Sequence, residues 1–115
     1  MTFKLHHLHL KSPDPKKTAE FYIGLGGTIT EDIPGRGLRM DFHGLQLNIT
    51  THVAEQKRKQ SYGVEHFAVT ADDIDKERDR LVAEGATYLE SIQGKDLRAH
   101  FLQGPDGVQL ELIGK

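Results

Sequence analysis

The chain reads as an α+β protein built from two βαβββ modules, and three observations in its 115 residues predict this. A β-prone segment, Leu5-His6-His7-Leu8-His9-Leu10, recurs as Val64-Glu65-His66-Phe67-Ala68-Val69, with His7 falling on His66. An aspartate follows each histidine by seven residues (Asp14, Asp73) and a glycine by nineteen (Gly26, Gly85), so all three pairs share an offset of 59. The repeat returns at the end of each half, where Gly44-Leu45-Gln46-Leu47-Asn48-Ile49 matches Gly107-Val108-Gln109-Leu110-Glu111-Leu112 at an offset of 63. Four extra residues therefore belong to the middle strands of the second half.

The elements follow in order. After the first strand, Asp14-Pro15 has the form of an N-cap with proline at the first helical position. Ala19, Tyr22 and Ile23 recur at helical spacing, and Leu25-Gly26-Gly27 closes the helix. In the second half Asp72 or Asp73 caps a helix carrying Ile74, Arg78, Leu81 and Val82, which Gly85 ends. About three strands follow each helix. The expected organisation is one domain, 1–115, made of modules 1–56 and 62–115, with a charge-dense linker near 54–61.

Composition limits the function. Apolar residues are 37% and charged residues 28%, as in a soluble globular chain. No apolar run is long enough to span a bilayer, and the N-terminus lacks the features of a secretory signal. No membrane partner is expected, and a cytoplasmic location is the default. The absence of cysteine excludes disulfides and thiolate chemistry. A net charge of −2 argues against nucleic acid, and the short cluster Lys57-Arg58-Lys59 reads as solvated linker. Seven histidines make a nitrogen/oxygen metal site worth testing.

Strand alternation sorts the residues of the terminal strands. His7 shares a face with His9. Gln46, Asn48 and Thr50 form a polar row opposite Leu45, Leu47 and Ile49, and Glu111 lies opposite Leu110 and Leu112. Taken singly, His7, His66 and Glu111 would be core histidines and a surface carboxylate. Their symmetric placement favours a site for one divalent metal (Fe, Mn, Ni or Zn), because two imidazoles and a carboxylate with open positions suit such ions. Asn48, the repeat mate of Glu111, is a fourth candidate ligand.

The pieces His7-Leu8-His9-Leu10-Lys11-Ser12-Pro13-Asp14, Phe21-Tyr22 with Leu25-Gly26, His66-Phe67-Ala68-Val69 and Gly104-Pro105-Asp106-Gly107-Val108-Gln109-Leu110-Glu111 span nearly the whole chain. In order and spacing they resemble the vicinal oxygen chelate superfamily, also called the glyoxalase/bleomycin resistance/dioxygenase superfamily. The resemblance implies a curled, cup-shaped mixed sheet with the helices outside, a central metal, a small-molecule substrate and a homodimer. Carried over, the ligand positions are His7, Asn48, His66 and Glu111. Asparagine stands where many glyoxalase I enzymes have glutamate, and the remaining triad resembles that of extradiol dioxygenases and fosfomycin-resistance thiol transferases.

The resemblance implies chelation of two neighbouring substrate oxygens and transfer of a proton by a nearby base. His9, by parity with His7, and His100, by its match to a substrate-contacting family position, are the candidate catalytic residues. Gln46, Arg39 and Arg98 are candidates for substrate binding, the arginines for a carboxylate or phosphonate. A glyoxalase-like lyase or isomerase is the first expectation and an extradiol-type Fe(II) dioxygenase the second. A fosfomycin-modifying enzyme or a bleomycin-type sequestering protein follows.

Overall fold

The computed structural model describes residues 3–115; Met1 and Thr2 of the N-terminal stretch lie outside the described residues. Its elements run β1 (Lys4–Lys11), α1 (Pro15–Ile23), β2 (Thr28–Ile33), β3 (Gly37–Phe42), β4 (Leu45–Thr50), β5 (Gly63–Thr70), α2 (Ile74–Ala83), β6 (Thr87–Gln93), β7 (Arg98–Gln103) and β8 (Gln109–Gly114). A single 3-10 turn, Pro105–Gly107, precedes β8. The α+β class and the βαβββ order, given twice, are those the repeat predicts. Among the described residues no helix is long and apolar enough to cross a membrane.

The chain forms two compact units. One is His7–Glu65, and the other is His66–Lys115 together with residues 3–6. In the first the strands run in the order β2-β3-β4-β1, with β1 parallel to β4 and the other pairs antiparallel. The second repeats this as β6-β7-β8-β5, with β5 parallel to β8.

The same local chemistry builds both helices. Asp14 accepts a hydrogen bond from the Lys17 amide at 3.2 Å, and Asp73, rather than Asp72, accepts one from Lys76 at 3.1 Å. Each cap satisfies an amide that the helix itself leaves open. Gly26 and Gly85 take φ values of +100° and +114°, which reverse the chain after the last helical turn. Behind them the Gly27 amide reaches back to Tyr22 and the Ala86 amide to Leu81. Asp73→Ala should cost about 1 kcal/mol and lower Tm by about 4 °C; an unchanged thermal melt would refute the capping role.

Each helix covers one face of its own sheet. Ala19 of α1 packs with Leu10, Leu38, Met40, Leu47 and Ile49, and Ile74 of α2 packs with Ala71, Leu102 and Leu112. Leucine 38 is fully buried, and its neighbour Gly37 leaves no room for a side chain, since a Cβ would fall 1.9 Å from the Ile49 carbonyl oxygen.

The register locates the four extra residues of the second half. β2 and β6 each carry a bulge, between Ile29 and Glu31 and between Tyr88 and Glu90, still at offset 59. Arg39 pairs with Glu31 as Phe101 pairs with Glu90, so β3 and β7 stand at offset 62. Three of the extra residues thus lengthen the β6–β7 hairpin, and the fourth enters the β7–β8 turn. This division sets which side chains of β7 face the helix.

One expectation is corrected. The Lys57-Arg58-Lys59 cluster is not simply solvated, because Arg58 is buried and its guanidinium lies 2.7 Å from the buried Glu65 carboxylate. The segment is tied down further by Gln60, whose side chain bonds both the amide and the carbonyl of Val53. A cation with an internal carboxylate partner can be buried where a lone one could not.

Candidate functional site

In the first unit the sheet face away from α1 is polar. Register places Glu31, Arg39, Asn48 and His9 side by side across four strands. The Arg39 guanidinium takes both oxygens of Glu31, at 2.6 and 2.8 Å, on the exposed sheet edge. Gln46 donates its side-chain amide to Asn48 Oδ1 at 2.9 Å, and His9 Nε2 lies 2.7 Å from the Thr50 hydroxyl. His7 is buried, and its ring meets that of His9 edge to face, with centroids 5.6 Å apart. Their nearest ligand nitrogens lie within 4.8 Å of one another.

In the second unit the matching face carries His66 and Glu111. Leu110 and Leu112 turn to the α2 core, which leaves Gln109, Glu111 and Ile113 on the opposite side of β8. His66 and Ala68 face the same way on β5. The result is a direct contact, His66 Nε2 to Glu111 Oε1 at 2.9 Å, with the His66 side chain almost wholly buried and Glu111 nearly so. Phe101, the β7 register partner of Glu111, packs its ring edge to face on His66 with centroids 5.2 Å apart.

Two expected site residues lie elsewhere. His100 pairs with Leu112 and faces α2, on the side of the sheet opposite His66 and Glu111. Arg98 has the same parity and forks onto Asp75 of α2 at 3.1 and 3.0 Å. The reason is the three-residue lengthening of the β6–β7 hairpin, which makes His100 the counterpart of Leu38. The structure therefore does not bring His100 or Arg98 to the face that carries Glu111.

The helix side of β7 holds a network that sequence reasoning missed. His100 Nε2 lies 2.7 Å from Asp75 Oδ1, and its Nδ1 lies 2.6 Å from the Ser91 hydroxyl. Hydrogen bonds from Arg98 and then His100 hold the Asp75 carboxyl well below the usual carboxylate range, so it stays ionised. The only sequence signal would have been the shared parity of His100 and Leu102, and it was masked because Ala99 and Phe101 are apolar too.

Residues 4–112 match the model of the Glyoxalase/Bleomycin resistance protein/Dioxygenase superfamily. The chain belongs to that superfamily. Among solved structures similar to this superfamily member is a hypothetical protein, BH1468, of Bacillus halodurans C-125, at 20% identity over 100% of this chain and 96% of that one, with a TM-score of 0.76. A methylmalonyl-CoA epimerase of Mycobacterium tuberculosis is 20% identical over 95% of this chain and 85% of its own, with a TM-score of 0.69. A glyoxalase I variant of Zea mays is 18% identical over 95% of this chain and 42% of its own, with a TM-score of 0.67. No curated protein sequence matches. At these identities the structural likeness speaks to fold, and superfamily membership leaves the reaction open.

Proposed function

We propose that the chain is a divalent-metal enzyme that chelates vicinal oxygens of a small substrate and acts as a glyoxalase-like lyase or isomerase. His7, His66 and Glu111 would hold the metal. The observation that carries this reading is the 2.9 Å separation of His66 Nε2 and Glu111 Oε1. Bond lengths of about 2.1 Å to such ions place neighbouring ligand atoms about 3 Å apart. The donor set fits, since imidazole and carboxylate are ordinary ligands for Fe, Mn, Ni and Zn. His7 enters as the repeat equivalent of His66. Asn48 is the weakest member: its oxygen accepts from Gln46 but has a second lone pair for an ion.

When bound, a divalent ion supplies Lewis acidity that stabilises an oxyanion developing on the substrate. The chain's own residues do the rest. His9, oriented by the Thr50 hydroxyl, is the proposed proton carrier, and Gln46 is a proposed substrate contact beside Asn48. A homodimer, the common form of small superfamily members, goes with this reading.

One observation favours a second reading. With a neutral Asn48 the set reduces to two histidines and one carboxylate, a combination suited to oxygen-activating iron. Protein loaded in turn with Ni, Mn, Zn or Fe(II) should isomerise the hemithioacetal of methylglyoxal without consuming oxygen. Oxygen uptake with catechols by the Fe(II) form alone would replace the lyase with the oxygenase, and no turnover with any metal would overturn both.

A further inference from the structure

The network on the helix side of the second unit joins a hydroxyl, an imidazole and a carboxylate from three elements. Ser91 of β6 and His100 of β7 are register partners, and Asp75 lies in the first turn of α2. With Nδ1 of His100 accepting from the Ser91 hydroxyl, Nε2 carries the proton and donates it to Asp75, at the 2.6 and 2.7 Å already given. Arg98 forks onto both carboxylate oxygens, including the Oδ1 that faces His100, and Arg78 lies 3.7 Å from Oδ1 and 3.4 Å from His100 Nε2. An imidazole between a serine and an ionised carboxylate is the arrangement that activates a serine nucleophile.

The sibling unit shows that the fold does not require this network. Ser91, His100 and Asp75 correspond to Asp32, Leu38 and Lys16, and Leu38 fills its position as plain core. Replacing a buried leucine by histidine brings a polar ring into the core, which must then be matched by hydrogen bonds. The serine is also placed for use. His100 is 3% exposed, whereas Ser91 is open to solvent and Tyr88, whose hydroxyl bonds the Ser91 oxygen, is 44% exposed. Tyr88 also lines a depression of about 500 Å³ together with Arg78, Asp79, Val82 and Ala83.

We propose that Ser91, activated by His100 and with Asp75 as positioning residue, is a nucleophilic serine that accepts acyl groups from small carboxylic esters. The Ser91 oxygen bonds to the acyl carbon while its proton passes to His100 Nδ1. The bond to the alcohol breaks, and the alcohol leaves with that proton. Water then adds to the acyl-serine, and the acid departs as Ser91 regains its hydrogen. Tyr88, which donates to the Ser91 oxygen in this arrangement, is the donor available to the carbonyl oxygen as it gains charge. The activity is independent of the proposed metal.

A tagged fluorophosphonate tests the proposal, because attack by a serine displaces fluoride and leaves a stable adduct. The full chain should be labelled once, at Ser91, and equally well after dialysis against EDTA. S91A should abolish the adduct. H100L, which restores the sibling's core residue, should keep the fold yet slow labelling by about 100-fold, and H100Q should do the same if leucine disturbs packing. D75N should lower the maximal labelling rate with the half-saturating probe concentration unchanged, a split that general distortion would not give. Absence of an adduct, an adduct at another residue, loss of labelling with EDTA, or wild-type rates in both His100 variants would overturn it.

Discussion

The unaltered chain should bind about one divalent ion, and replacing His66 or Glu111 with alanine should abolish that binding. The two proposed ligand atoms stand 2.9 Å apart on adjacent parallel strands, and neither strand is free to shift, since β5 and β8 pair continuously from His66 to Thr70. Residues that merely orient metal ligands cost 10- to 100-fold in affinity when removed, so loss of a ligand itself should exceed about 100-fold. Thermal melts give an independent readout. Metal at about 100 times its Kd stabilises a folded protein by about 2.7 kcal/mol, and that upward shift should be present in the parent chain and absent from H66A and E111A. Glu111→Gln separates charge from shape, keeping an oxygen in place while removing the anion, and should bind more weakly than the parent. Full metal retention by both alanine variants would refute the site.

The parts of the fold legible in the sequence are those fixed by local chemistry. Asp14 and Asp73 cap because a short carboxylate before a helix reaches the open amides. Gly26 and Gly85 end the helices because their φ values suit glycine. Both signals survive translation by 59 residues, and with them the placement of His7 and His66 on equivalent strands. The β7 residues were not legible in the same way. A total insertion of four can be counted from the flanking anchors, but its division into three and one cannot. Had all four residues preceded β7, His100 would correspond to Gly37 instead of Leu38 and would take the face that Phe101 occupies. A strand reading Ala99-His100-Phe101-Leu102 has apolar residues on both faces, so alternation could not decide the matter either. Arg58 was illegible for a different reason: its partner Glu65 lies seven residues away in the next strand, and nothing local separates a paired internal cation from a solvated one.

Arg58→Ala should destabilise the protein by about 3–5 kcal/mol, enough to lower Tm by more than about 10 °C in a chain of this size. Both side chains of the Arg58–Glu65 pair are only 1% exposed, and the contact is a short 2.7 Å. A second guanidinium nitrogen is held by the Gln56 side-chain oxygen at 2.9 Å. Truncating the arginine leaves the Glu65 carboxylate buried without this counter-charge, and that penalty exceeds whatever the intact pair gains over two apolar residues. The sign of the double substitution follows. Arg58→Met with Glu65→Leu should recover most of the loss, because it removes both desolvated charges together and keeps the volume filled. The neighbours Lys57 and Lys59 are exposed, and alanine at either should cost less than about 1 kcal/mol. Equal destabilisation by K59A and R58A would show that the cluster acts as a charged surface after all, and that the internal pair contributes nothing of its own.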